Sequence, residues 1–499
     1  MLTHDALARY FLTGTAEEDR PFLERAFITH DQFTDILSID PGAMRILAGS
    51  KGIGKTALFE WLAKVAIRRQ LPVLLLRPDD LDTRGVGAGS DVASLKRGFY
   101  EALVVAVASA LGRQLRGFIK GPAEAMYNAA VASGARDPQK LLRLLSAISV
   151  PVAKVNGVQL AKELAGRPNP DNLTRSINQH LLSQGSILFF LLDDTDQVAS
   201  PADPSQLNRI WALLLAVRRL AGECMALRCL VSLRTEVWAR LESESQGQRD
   251  QTDHLRGLVI PLTASEELME RIVLRRLTLA AEELGKRNVD PYGVFFENTQ
   301  VRLPTSDELR PWDQFIIKSA RDRPRDAIQL VKVLSDTADS RIPSRALIGD
   351  KDADDGMKRY SRERVKDVSD EFARDCTTVT KIIETFAEGD FEPSFEALRA
   401  HLKTVGSRFP LQIRSETIRP GEDDDAIRLL RFLHEIGFIN PRVHDARQSK
   451  KYRHINFHDD PYFVQKSNWN NMQAATWEIH PAFRSFLLTL RSDLAARRS

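Results

Sequence analysis

The chain has 499 residues, 43% of them hydrophobic and 27% charged, a balance that excludes a disordered polar chain and leaves room for two or three domains. Its net charge of +3 excludes a surface coated uniformly for nucleic acid, so any such contact has to come from a local patch. The three cysteines, Cys224, Cys229 and Cys376, lack metal-ligand and redox spacing, and no apolar run reaches bilayer length, which points to inert core thiols, no membrane and the cytoplasm.

In chain order, residues 1–40 form an N-terminal segment rich in aromatics, Tyr10, Phe11, Phe22, Phe27 and Phe33, expected to pack as short helices against the domain that follows. An apolar run, Met44 to Ala48, then reads as a buried strand. It leads into Gly49-Ser50-Lys51-Gly52-Ile53-Gly54-Lys55-Thr56, two glycines with four residues between them and then Lys-Thr. The physical content of this P-loop pattern is specific. Glycines let successive backbone N–H groups turn inward around phosphates, Lys55 reaches the β and γ phosphates, and the Thr56 hydroxyl takes one Mg²⁺ position. Leu58, Trp61, Leu62, Val65 and Ala66 continue at helical spacing. Residues Gly49 to Ala57 therefore sit where a helix N-terminus meets a bound ATP.

Leu71 to Leu76 reads as a second strand, and residues 92–182 as a helical insertion with breaks near Gly134 and Gly166. Ile187 to Leu192 is an unbroken apolar strand ending in Asp193 and Asp194, a Walker B pattern. Asp193 is expected to hold Mg²⁺ and Asp194 to polarise the attacking water, with Asp196 either joining them or starting the next turn. The run Leu227 to Leu233 ends at Arg234, which is expected either to neutralise charge in phosphoryl transfer or to pair with Glu236. A fifth strand falls near Val259 to Thr263, and Ser265 is placed to cap the helix after it. Arg323-Pro324-Arg325-Asp326 opens a further helix, from which Arg325, ahead of Arg323, can reach back to the nucleotide. No arginine finger stands out among Arg240, Arg249 and Arg256.

These divisions give an ATPase core over 41–264, a helical lid over 265–345, a charged linker over 346–371 and a last domain over 372–499. In that domain a helix near Ile427 to Phe438, a basic turn and the strand Tyr452 to Phe457 resemble a winged helix with its wing. Arg447, Lys450, Lys451 and Arg453 beside Tyr452 form the one basic patch with an aromatic among it, suited to double-stranded DNA. The acidic run Glu422 to Asp425 argues for a protein partner instead. Scattered histidines give no nuclease or protease constellation, so any such step belongs to an effector partner.

The order of P-loop, Walker B, Arg234 and the Arg-Pro-Arg-Asp helix start resembles the AAA+ and STAND branches of the P-loop ATPases. The wording of the two phosphate motifs is similar to bacterial ATPases of antiphage and genome-conflict loci. The resemblance covers roughly residues 5 to 345. It implies an α/β P-loop NTPase with a parallel sheet, a helical insertion and a helical lid, followed by an α+β winged-helix domain. It also implies ATP and Mg²⁺ as cofactors, a homo-oligomer, and a sensor role for Arg325. Asp194 departs from the family, where a glutamate is usual, and so fits a slow switch better than a motor. An alternative with the same parts is a DNA-loading ATPase resembling those of origin recognition or transposition.

Overall fold

Continuous apolar runs become parallel strands, because a strand covered on both faces has no use for alternation. The computed structural model describes residues 3–29, 36, 39–81, 91–114, 122–132, 170–198, 204–244, 249–306, 308–446 and 452–498. Strands β1 (Met44–Ala48), β2 (Val73–Leu76), β3 (Leu188–Leu192), β4 (Leu227–Leu233) and β5 (Val259–Pro261) form one parallel sheet in the order β2-β3-β4-β1-β5. Strand β4 is thus inserted between the strand that feeds the P-loop and the strand that carries Walker B. In register, Ala48 lies beside Leu233 and Leu192 beside Val231, so β1, β3 and β4 end at one edge of the sheet. The α/β class expected from the alternation of strands and helices is the class observed.

Helices of eight residues or more are numbered in chain order: α1 (Thr3–Tyr10), α2 (Lys55–Arg68), α3 (Val92–Gln114), α4 (Pro122–Ala132), α5 (Pro170–Ser183), α6 (Pro204–Glu223), α7 (Thr235–Glu244), α8 (Arg249–Arg256), α9 (Glu266–Glu283), α10 (Pro324–Asp339), α11 (Asp350–Glu371), α12 (Phe395–Arg408), α13 (Asp423–Glu435) and α14 (Pro481–Arg498). The chain divides into two compact units. One comprises residues 31–48 and 58–261. Its core joins Phe99, Phe190, Trp211 and Leu213 from α3, β3 and α6. Helices α3, α4 and α5 pack on one another and occupy the span read as a helical insertion, while both breaks expected in that span lie outside the described residues.

The other unit comprises residues 1–30, 49–57 and 262–499, so the P-loop groups with the helices that follow the sheet. Ser265 caps α9 as expected, its hydroxyl accepting from the Leu268 N–H at 3.2 Å. The N-terminal segment packs on α9 and α10, which corrects the expectation that it packs on the domain over 41–264. Arg276 of α9 explains it: its guanidinium donates to the Tyr10 carbonyl at 2.5 Å and ion-pairs with buried Asp19. The Tyr10 hydroxyl donates to Glu283 at 2.7 Å.

Residues 346–371 correct the expectation of a linker, because most of them form the 22-residue helix α11. Its charges mask an apolar and small face, Ala353, Gly356, Met357, Tyr360, Val365 and Val368, all buried at helical spacing. That face packs on α10 and α14, so the lid and the last domain share a hydrophobic core. Two short hairpins, β6 (Gln300–Arg302) with β7 (Leu309–Pro311) and β8 (Gln412–Ile413) with β9 (Glu416–Thr417), are antiparallel. Strands β10 (Ile439–His444), β11 (Tyr452–His454) and β12 (Thr476–Ile479) form an antiparallel sheet in the order β11-β10-β12. The acidic run is the entry to α13: Asp423 pairs with Arg399 and Lys403 at 2.6 and 2.8 Å, and Asp425 accepts from the Arg419 N–H at 2.9 Å. Carboxylates at a helix N-terminus are stabilised by its dipole, so these acids have a local use.

Candidate functional site

The loop leaving β1 turns through two left-handed glycines, Gly52 at φ +84 and Gly54 at φ +107. Side chains rarely adopt such values, so the glycines of the motif are required by the backbone path. Gly49 is required by packing, because a Cβ there would lie 2.8 Å from Ile53 Cγ2 and 3.2 Å from Leu262 Cβ. Lys55 is buried and curls over its own loop, its ammonium donating to the carbonyls of Gly49 at 2.6 Å and Ser50 at 3.1 Å. Ser50, Lys51 and Ile53 are half-buried around it, and Thr56 and Ala57 continue half-buried in the first turn of α2. That turn has no acidic residue to oppose an anion.

The start of α10 meets this loop. The Arg325 N–H donates to the Gly52 carbonyl at 3.3 Å, and a Cβ on Gly52 would stand 3.2 Å from Arg325 Cβ. The Arg325 side chain is half-buried and reaches the Gly14 carbonyl at 3.4 Å. Arg323 is committed elsewhere, its guanidinium donating to Glu371 at 3.1 Å. Behind them Asp326 takes Arg321 at 2.7 Å and Arg364 at 2.8 Å. Burial alone would raise the Asp326 carboxyl, but Arg321, Arg364 and Arg323 outweigh it and hold it at about 2.

At the end of β3, Asp193 is 1% exposed. Its Oδ1 accepts from the Ser232 hydroxyl at 2.5 Å, while Oδ2 is buried with no partner among the described residues. Asp194 follows in the left-handed region at φ +51, its N–H donating to Ser232 Oγ at 2.9 Å and its carboxylate 3.9 Å from Arg77. Arg234 pairs with Asp196 at 2.9 Å. Ser232 and Arg77 were both missed. The one available signal was a lone hydroxyl in the otherwise apolar stretch Cys229 to Leu233.

Arg240 is buried, and Arg256 is tied to Glu242 and Asp253 at 3.2 and 3.1 Å. Arg249 begins α8. In the last domain the basic patch is only partly within view. Arg447, Lys450 and Lys451 lie outside the described residues, and Arg453 is exposed on β11, 3.8 Å from Asp445. Tyr452 lies under the Arg442 guanidinium, 4.5 Å from its ring centre. All three cysteines are buried, and burial pushes the Cys224 thiol up to about 12.

Residues 266–369 match the family described as the FunZ-associated C-terminal helical domain. Two solved structures of the Aeropyrum pernix ORC2 protein also align with the chain. The one described as ADPNP-ADP complexes covers 96% of this chain and 94% of that one, with 12% identity and a TM-score of 0.39. The ADP form covers 94% and 92%, with 10% identity and a TM-score of 0.33. Likeness at this level assigns no chemistry. No curated protein matches the chain.

Proposed function

We propose that the protein is a nucleotide-operated switch of the AAA+ type, which binds and slowly hydrolyses ATP and reads the state of the P-loop through the lid helix α10. One observation carries this reading: the N-terminus of α10 is seated on Gly52, with the Arg325 N–H bonded to its carbonyl and a Cβ on Gly52 only 3.2 Å from Arg325 Cβ. A change in the path of the loop has to move α10 or break that bond.

The residues present suit a triphosphate and its cation. The left-handed glycines and buried Lys55 supply inward donors, and, in the other unit, Asp193 keeps a buried carboxylate oxygen without a partner among the described residues. Mg²⁺, when bound, supplies charge neutralisation for the phosphates. By motif, Thr56 and Asp193 are the residues that would hold it. Asp194 orients water, Arg234 faces developing charge from a strand end, and Arg325 senses the nucleotide. The slow rate follows from the aspartate at position 194, whose shorter side chain replaces the usual glutamate.

The biological setting we infer is a bacterial antiphage system in the cytoplasm, with ATP driving self-association and a C-terminal winged helix contacting DNA or an effector protein. The motif resemblance supports the setting, and the sheet β11-β10-β12 with its preceding helix α13 supports the winged helix. A DNA-loading ATPase is the second reading, favoured by the arginine and lysines in the sequence between β10 and β11. None of the described helices is long and apolar enough to cross a membrane.

Fluorescent-nucleotide binding, ATP turnover and particle mass, measured with and without double-stranded DNA, test these readings. Lys55→Ala is expected to abolish binding. Asp194→Asn should bind ATP and assemble while turnover falls at least about a hundredfold. Arg325→Ala should bind nucleotide yet lose the difference in mass between the ATP and ADP states. A wild-type protein that binds no nucleotide would sink the proposal, and assembly that needs DNA would select the loader.

A further inference from the structure

Ser232 is the least expected residue of β4. It is fully buried in a parallel strand, between Val231 and Leu233, where a hydroxyl without partners would cost more than it contributes. Its partners are all on the segment that follows β3. The hydroxyl has a single proton. The Asp194 N–H donates to Ser232 Oγ at 2.9 Å, so that oxygen already serves as an acceptor, and the proton goes to Asp193 Oδ1 at 2.5 Å. The direction of both bonds is therefore settled by chemistry. A third bond ties the same residue's carbonyl to the Thr195 hydroxyl at 2.5 Å. One residue of β4 thus holds three consecutive residues, Asp193, Asp194 and Thr195, and is itself registered against Leu47 of β1.

Two consequences follow for the acids. Occupying Oδ1 fixes the rotamer of Asp193 and leaves Oδ2 as its only oxygen without a partner among the described residues. Asp194 is held in a left-handed conformation that is costly for an ordinary residue, and the bond from its N–H offsets part of that cost. We propose that Ser232 is a positioning residue that aims Asp193 Oδ2 at the divalent cation and sets the orientation of Asp194, without touching nucleotide or metal itself. This rests on the nucleotide reading above. Hydrogen-bond partners of metal ligands commonly carry about 10- to 100-fold in metal affinity when removed.

The test reads the cation separately from the nucleotide. Fluorescent ADP is bound to the full-length protein in chelator and then across a Mg²⁺ titration, for wild type, Ser232→Ala, Ser232→Thr and Ser232→Val, with folding checked by thermal melts. Chelator-state affinity should be the same in wild type and Ser232→Ala, while the Mg²⁺ midpoint of Ser232→Ala rises about tenfold or more. Ser232→Thr keeps the hydroxyl and should restore the midpoint to within about threefold. Valine has nearly the shape of threonine without the hydroxyl, so the Thr and Val pair remains decisive if alanine does not fold. A midpoint unchanged in Ser232→Ala, or equal in the Thr and Val proteins, would overturn the proposal. Wild type that binds no ADP in any condition would instead bring down the nucleotide reading on which it stands.

Discussion

Gly52 shows how much of the site is decided by single atoms. Its φ of +84 and the 3.2 Å gap to Arg325 Cβ mean that a methyl group there meets both backbone strain and a neighbour. Gly52→Ala is expected to destabilise the protein by about 1–3 kcal/mol in urea unfolding and to weaken nucleotide binding. Unchanged stability would mean that α10 is not seated on the loop in solution. The glycine turn and the two apolar strands that end before Gly49 and Asp193 were legible in the sequence because their patterns are local. Ser232 was hidden inside an apolar run. The pairing of Arg234 with Asp196 was not legible, since Asp196 lies on a different segment and no spacing rule links them.

At the scale of elements, α11 is the instructive case. Read linearly, Lys351 to Arg364 is dense in charge, and density of charge suggests solvent. Read at helical spacing, the same residues bury Ala353, Met357 and Tyr360, with Asp352 and Arg364 buried and ion-paired. Arg364 and Arg321 share Asp326 in the first turn of α10, just after the left-handed pair Arg321 and Asp322 at φ +48 and +52. Asn456, following β11, donates to Asp322 at 2.7 Å, so the last domain holds the turn that leads into Arg325. Asp326→Ala would leave two buried guanidiniums without their shared carboxylate. It should cost about 3–5 kcal/mol by chemical denaturation, and a cost under about 1 kcal/mol would show that the cluster is not buried in solution.

Across the whole molecule, one buried histidine, His434, and two half-buried ones, His401 and His480, give acid sensitivity before the carboxylates do. Burial holds His434 and His401 down at about 4 and His480 at about 3, with Arg408 adding to the effect at His401 and Arg321 at His480. Unfolded histidines take up protons below about pH 6.5, whereas these folded ones do not. Their contribution to stability is therefore present above pH 6.5 and is lost as pH falls toward 4 and 3. Glu478, which burial would raise but His454, Arg484 and Arg442 hold at about 2, adds a loss below about pH 4. The melting temperature should be level from pH 8 to 7 and decline from about pH 6.5, with about three protons taken up on unfolding near pH 5. A melting temperature that is flat down to pH 5 would contradict this.

By itself the sequence determined the features that depend on neighbours in the chain. These are the five apolar strands, the P-loop between β1 and α2, the acids at the tip of β3 and the Ser265 cap, each set by periodicity or turn chemistry within a few residues. Only the tertiary structure supplied the contacts between distant segments. The insertion of β4 between β1 and β3 brings Ser232 to Asp193, the shared core makes α11 a packed helix, and α10 is set against Gly52. The physical reason is common to all three. Long-range partners are selected by the sum of many burial and hydrogen-bonding terms over the whole fold, and no local pattern carries that sum.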